Sequence, residues 1–147
     1  MLTDGLQSLL ANEASIVHLI GTAASRGEKP PTNGIFLQQM PPAAKLPAIV
    51  FGQTEGSPIA DSHDGADPLH EARIAFTCQA KTARSAKLIQ ITLRRFLEGY
   101  QGTLADGTEI GSVVLASELD AFEYAPFTFQ APIDFRILYR DTGSLTT

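Results

Sequence analysis

The densest set of side chains that could do chemistry runs from Asp61 to Glu71. Within its core, His63-Asp-Gly-Ala-Asp-Pro-Leu-His70-Glu71, two histidines and three carboxylates fall close together. Imidazole nitrogens and carboxylate oxygens are the donors that zinc and manganese take. The spacing matches no zinc signature, however, and Pro68 limits how the backbone can fold around an ion. The plainer reading is a solvated acidic loop, with a small metal-dependent enzyme using residues 61–71 as the competing one. Ser62-His63-Asp64 contains the three residue types of a hydrolytic triad, but adjacent residues cannot reach one another end to end as a triad requires. Cys78, the single cysteine, falls on the apolar side of an alternating segment and reads as a buried structural thiol. His18, among apolar neighbours, reads as a partly buried structural histidine. There is no P-loop, GxGxxG, GxSxG or HExxH pattern.

The elements that would position these residues centre on His70–Tyr100. Ala72, Ile74, Phe76, Cys78 and Ala80 alternate with Arg73, Ala75, Thr77, Gln79 and Lys81, the period of a half-buried strand. After Thr82 the period becomes helical: Ala86, Ile89, Leu93, Phe96 and Leu97 form one stripe, and Gly99 follows as a stop. The spacing predicts a helix over about 83–97.

On either side, Leu2–Ile20 reads as helical with an interruption at Asn12-Glu13, ending at Gly21. Thr22–Asn33, with Gly27, Pro30 and Pro31, reads as an exposed loop. Ile35–Met40 and Leu46–Gly52 are strand candidates. Gln53–Leu69 has no periodicity and reads as a long loop, a length usually reserved for function or mobility. Ile110–Ala116 is another strand, Glu118–Phe122 a turn or bulged continuation, and Ala125-Pro126 a break. Ile133–Arg140 alternates cleanly, and a polar, frayed tail 141–147 follows. This order gives an α+β fold: a single domain over 1–147, its largely antiparallel sheet packed against an N-terminal helix and one central amphipathic helix.

Composition narrows the function further. At 147 residues the chain can bury a core without staples. The net charge of -5 argues against gripping nucleic acid or anionic membranes, and no apolar run is long enough to span a bilayer. Asp4 with no basic residue before Arg26 does not read as a signal peptide. Projected at 100° per residue, Leu88 and Ile91 fall outside the core stripe of the central helix, between Lys87, Arg94 and Arg95. They read as surface for another subunit, with packing under a loop or chance exposure of isolated apolar residues as the alternatives.

The ordered set of segments resembles the tail-completion (tail-terminator, head–tail joining) proteins of long-tailed bacteriophages and prophages. The resemblance is carried by Gly5-Leu6-Gln-Ser-Leu9-Leu10, Val17-His-Leu-Ile-Gly21, Ile35-Phe36 and Leu46-Pro47-Ala-Ile49-Val-Phe51. It continues through Ala72–Ala80, Ala86, Leu93, Phe96-Leu-Glu-Gly99 and Gln101-Gly102-Thr to the closing Asp134-Phe135-Arg136-Ile-Leu-Tyr139. It implies a structural virion protein with no catalytic residues and no cofactor. Such subunits form a ring, a hexamer, on the end of the tail tube. The ring stops tube polymerisation, meets the head connector or stopper protein, and lets DNA pass without specific binding. Assembly would take place in the bacterial cytoplasm. In that reading Leu88, Ile91, Arg94 and Arg95 belong to the subunit interface, with an exposed sheet edge. Asp61, His63, Asp64 and Asp67 face the lumen or a partner ring. A different neck adaptor or stopper, and a monomeric binding module, are the alternatives on this side.

Overall fold

Two long strands form the centre of the molecule, β3 (Leu69–Ala80) and β7 (Thr128–Arg140). They pair antiparallel in one unbroken register, from Leu69 opposite Arg140 to Ala80 opposite Phe129. Because both alternate, their apolar sides coincide. Ala72, Ile74, Phe76 and Cys78 of β3 are buried together with Ala131, Ile133, Phe135 and Ile137 of β7. Phe76 meets Phe135 edge-on at 5.8 Å and stacks on Phe51 at 5.4 Å. Each large apolar side chain sunk here contributes roughly 1.5–3 kcal/mol. The computed structural model describes residues 2–28, 32–41, 44–60 and 69–140, and for residues 57–60 the backbone alone.

The remaining strands are β1 (Ile35–Leu37), β2 (Ala48–Ala60), β4 (Gly102–Thr103), β5 (Glu109–Glu118) and β6 (Phe122–Ala125). The sheet order is β1-β2-β3-β7-β5-β4, with β6 also on β7. β1 and β2 are parallel and every other pair is antiparallel. β5 and β6 pair with successive stretches of the same side of β7, separated by residues 119–121. The break has a local cause. Leu119 N–H donates to the Pro132 carbonyl at 3.0 Å, so that side of Pro132 faces the break, and a proline has no N–H to continue the ladder there.

Four helices cover one face: α1 (Leu2–Ala11), α2 (Ala14–Ile20), α3 (Ala23–Arg26) and α4 (Ala83–Leu97). Thr82 caps α4 by accepting from Ser85 N–H at 3.1 Å, which fixes the turn out of β3. α4 lies over β3 and β7 and buries Ala86, Ile89, Leu93 and Leu97. The sheet curls so that α1 reaches both of its ends. Gln7 donates to the Ile35 carbonyl of β1 at 2.9 Å, while Gly5 lies against Leu104 and Asp106 in the turn from β4 to β5. The sheet's other face is polar: Arg73 pairs with Asp134 at 3.0 Å and Arg136 with Glu71 at 3.7 Å.

The α+β, single-domain, mostly antiparallel fold expected from the sequence is the one observed, with α4 at its expected bounds. Three readings are corrected. The long loop 53–69 is shorter: residues 53–60 continue β2, and Leu69 already belongs to β3. Residues 53–60 form an edge strand, held by its backbone ladder to β3, so side-chain alternation is not what orders it. Pro58 is tolerated there because one side of the strand has no described partner. The exposed loop 22–33 instead contains α3 and a buried ion pair, Arg26 with Glu28 at 2.6 Å. The Arg26 guanidinium also donates to the carbonyls of Ile20, Lys45 and Pro47, so its charge enters the interior fully hydrogen-bonded. His18 is not half-buried but faces solvent, on the outer side of α2.

Candidate assembly surface

α4 presents two different flanks. Its wheel puts Leu88 and Ile91 outside the core stripe, and they are 43% and 36% exposed. They do not form one patch. Leu88 lines an open apolar cavity of about 280 Å³ with Leu19 of α2, Leu46 and Pro47 ahead of β2, Ala80 and Ile89. Ile91 instead lines a charged cleft with Lys87, Arg94, Arg95, Glu98 and Glu118. There Arg94 bonds Glu118 at 2.8 Å and approaches Glu98 at 3.7 Å, and Lys87 approaches Asp120 at 3.5 Å. Arg95 is exposed and makes no ion pair among the described residues. Arg94 is therefore committed within its own chain, and Arg95 is the freer of the two cations predicted for an interface.

The apolar flank is held by the Arg26–Glu28 pair, which ties α3 to the segment carrying Leu46 and Pro47. Glu28 accepts from Arg26, Thr32 and the Lys45 N–H, and these bonds hold its carboxyl down at about 2 against the cost of burial. The charged flank is fixed by Gln90. This residue is fully buried, and its Nε2 donates to the carbonyls of Leu119 and Pro132 at 2.8 and 2.7 Å, pinning residues 119–121 to α4. Gln90 escapes a reading based on apolar periodicity, because a polar residue on a core stripe looks like a breach of the pattern.

A second feature lay outside the sequence expectations: the β6–β7 hairpin. Its two-residue turn is Pro126-Phe127, with Ala125 opposite Thr128. Phe127 is 80% exposed and has φ 60, a backbone region that bulky residues rarely adopt. Phe122, Tyr124 and Leu119 are exposed nearby. The signal in the sequence is two strand-like runs, Phe122–Ala125 and Thr128–Ala131, flanking two residues, the spacing of a tight hairpin.

Of the residues read for chemistry from Asp61 to Cys78, only His70, Glu71 and Cys78 fall among the described ones. Asp61, Ser62, His63, Asp64 and Asp67 lie outside the described residues. His70 stacks on Tyr139 at 5.4 Å, and Glu71 points to Arg136. Among the described residues, no three His, Cys, Asp or Glu side chains are grouped to hold a metal. Cys78 is fully buried, and burial pushes its thiol far above the usual range, so no thiolate is available.

The family described as Tail completion protein gp17 matches residues 5–140. The chain belongs to the tail completion protein gp17 family. It is a structural tail protein of phage-like particles and not an enzyme, as the sequence resemblance implied. Among solved structures, a chain from the virion of a native gene transfer agent (GTA) particle has the same fold. The TM-score is 0.61 at 17% identity, over 95% of this chain and 94% of that chain. No curated protein matches the chain.

Proposed function

We propose that the chain caps the end of a tail tube as a closed ring, stops tube growth and joins the tail to the head connector. One observation carries the ring. Among the described residues the sheet leaves edges of different sequence open on its two sides, among them the outer side of β2 beyond Gly52 and the outer side of β5 beyond Val113, whose carbonyl is the last to be met, by the Gly99 N–H at 2.9 Å. Unpaired backbone on an edge seeks a partner. Two unlike edges on opposite sides of one subunit suit a heterologous contact, which satisfies both together when it repeats until it closes. The unlike flanks of α4 support the same geometry, since self-complementary pairing would need one patch to match itself. Six copies, as in the hexamer the resemblance implies, is the copy number proposed.

In this reading DNA passes through the centre. The carboxylates Asp61, Asp64 and Asp67, with His63, lie in the connection between Ala60 and Leu69, which face each other across the β2–β3 ladder. Turned to the lumen or to a partner ring, they would repel phosphates and keep DNA from sticking. The tail-tube protein and a connector or stopper are the expected neighbours above and below.

Sedimentation of the purified chain and of a Leu88→Glu, Ile91→Glu double variant tests the ring, with electron microscopy of particles to place the chain. A closed oligomer lost in the folded double variant, and density at the head-proximal end of the tube, are expected. A chain found elsewhere in the neck, or a ring untouched by the double variant, contradicts this arrangement.

A further inference from the structure

The β6–β7 hairpin and the apolar cavity beside Leu88 are a knob and a socket that the described residues of their own chain leave unmatched. The knob is Phe127, held outward in a turn whose positive φ a glycine would adopt without strain. The socket, at about 280 Å³, falls below the usual range of small-molecule clefts, and apart from Lys81 and Ser85 its lining is apolar. It has the size and character for one large side chain.

Charge points to the occupant. From Ala72 to Leu97 the chain carries Arg73, Lys81, Arg84, Lys87, Arg94 and Arg95 and no Asp or Glu. From Phe96 to Phe135 it carries seven carboxylates and no Lys, Arg or His. Lys87 and Arg94 are answered within the chain by Asp120 and Glu118. Among the described residues no ion pair answers Lys81 in the socket wall, Arg84 one turn before Leu88, Arg95 farther along α4 or, on the hairpin, Glu123, all exposed. Lys81 and Arg84 flank the socket and Glu123 flanks the knob.

Placement agrees. Phe129 of β7 sits opposite Ala80 of β3, and Ala80 lines the socket, so knob and socket lie at the same end of the sheet. They flank α4 on different sides, the socket toward α2 and β2, the knob beyond β7. We propose that Phe127 of one copy seats in the Leu19–Leu46–Leu88 cavity of a second copy of this chain, with Glu123 against Lys81 and Arg84. This rests on the ring reading and names the contact that would fix its direction. An aromatic anchor in a desolvated pocket with flanking charge pairs is the usual form of an interface hot spot.

The test mixes two variants, Phe127→Cys and Leu88→Cys, with a short bis-maleimide, Cys78 being buried and inert. Covalent dimer from the mixture but from neither variant alone is expected. Phe127→Gly, which keeps the turn, should weaken self-association by roughly 30-fold. Glu123→Lys should weaken it too, and Lys81→Glu added to it should restore part of the loss. An oligomer that forms without mixed cross-linking, or that Phe127→Gly leaves intact, overturns the contact and leaves the ring standing. A chain that stays monomeric at every concentration and gives no mixed dimer overturns both.

Discussion

Arg26 and Glu28 bond at 2.6 Å with both side chains almost wholly buried, in a stretch that by composition looks like an open loop. The pair fastens α3 to the backbone of Lys45 and Pro47, and through it one wall of the apolar cavity beside Leu88. Removing one partner would strand the other charge inside. Arg26→Ala is expected to cost about 3–5 kcal/mol in urea unfolding.

The same pair sets an acid limit. Glu28 is held at about 2 in the folded chain against an ordinary 4.5, so the unfolded chain binds its proton first as pH falls. Its contribution is complete above about pH 4.5 and is lost as pH drops toward 2. Thermal melts between pH 6 and 2.5 should fall more steeply for the natural chain than for Glu28→Gln.

Gly5 is required by close approach. A Cβ there would lie 2.7 Å from Asp106 Oδ1 and 2.9 Å from Leu104 Cβ, where α1 crosses the turn from β4 to β5. Gly5→Ala should lose about 1–3 kcal/mol despite its better helix propensity, and Gly5→Val more, read by denaturant midpoints.

Gln90 is the polar clamp on the charged flank. Gln90→Leu removes two donated bonds and should cost about 1–3 kcal/mol, with faster hydrogen exchange at residues 119–125. Gln90→Glu should cost more at neutral pH, since it sets a carboxylate against the Leu119 and Pro132 carbonyls. Its deficit should shrink on acidification.

Phe127→Gly should raise the stability of the lone chain by about 1–2 kcal/mol, because the left-handed backbone no longer opposes a side chain that buries little. A thermal melt of dilute chain measures it. Stability gained there, together with association lost, would show what the strained aromatic is for.

The sequence alone determined the strand–helix unit, the closing strand and the α+β class. β3, α4 and β7 each carry one apolar side at an unambiguous period, and a period of 2 or 3.6 survives without knowledge of neighbours. The ordered succession of such segments also carried the family. Three things were decided only in three dimensions. Residues 53–60 became strand because β3 offers a backbone ladder, a partner that side-chain patterning does not record. Arg26 and Glu28 went inside because backbone groups 17–21 residues away complete their hydrogen bonds, the Lys45 and Pro47 carbonyls for Arg26 and the Lys45 N–H for Glu28. Leu88 and Ile91 share the outer side of a helical wheel, yet the α2 side of the sheet gives one an apolar cavity and the β5 side gives the other a charged cleft. In each case the deciding partner is remote in sequence, and a helix or strand period reports only which side of an element is apolar, never what stands across from it.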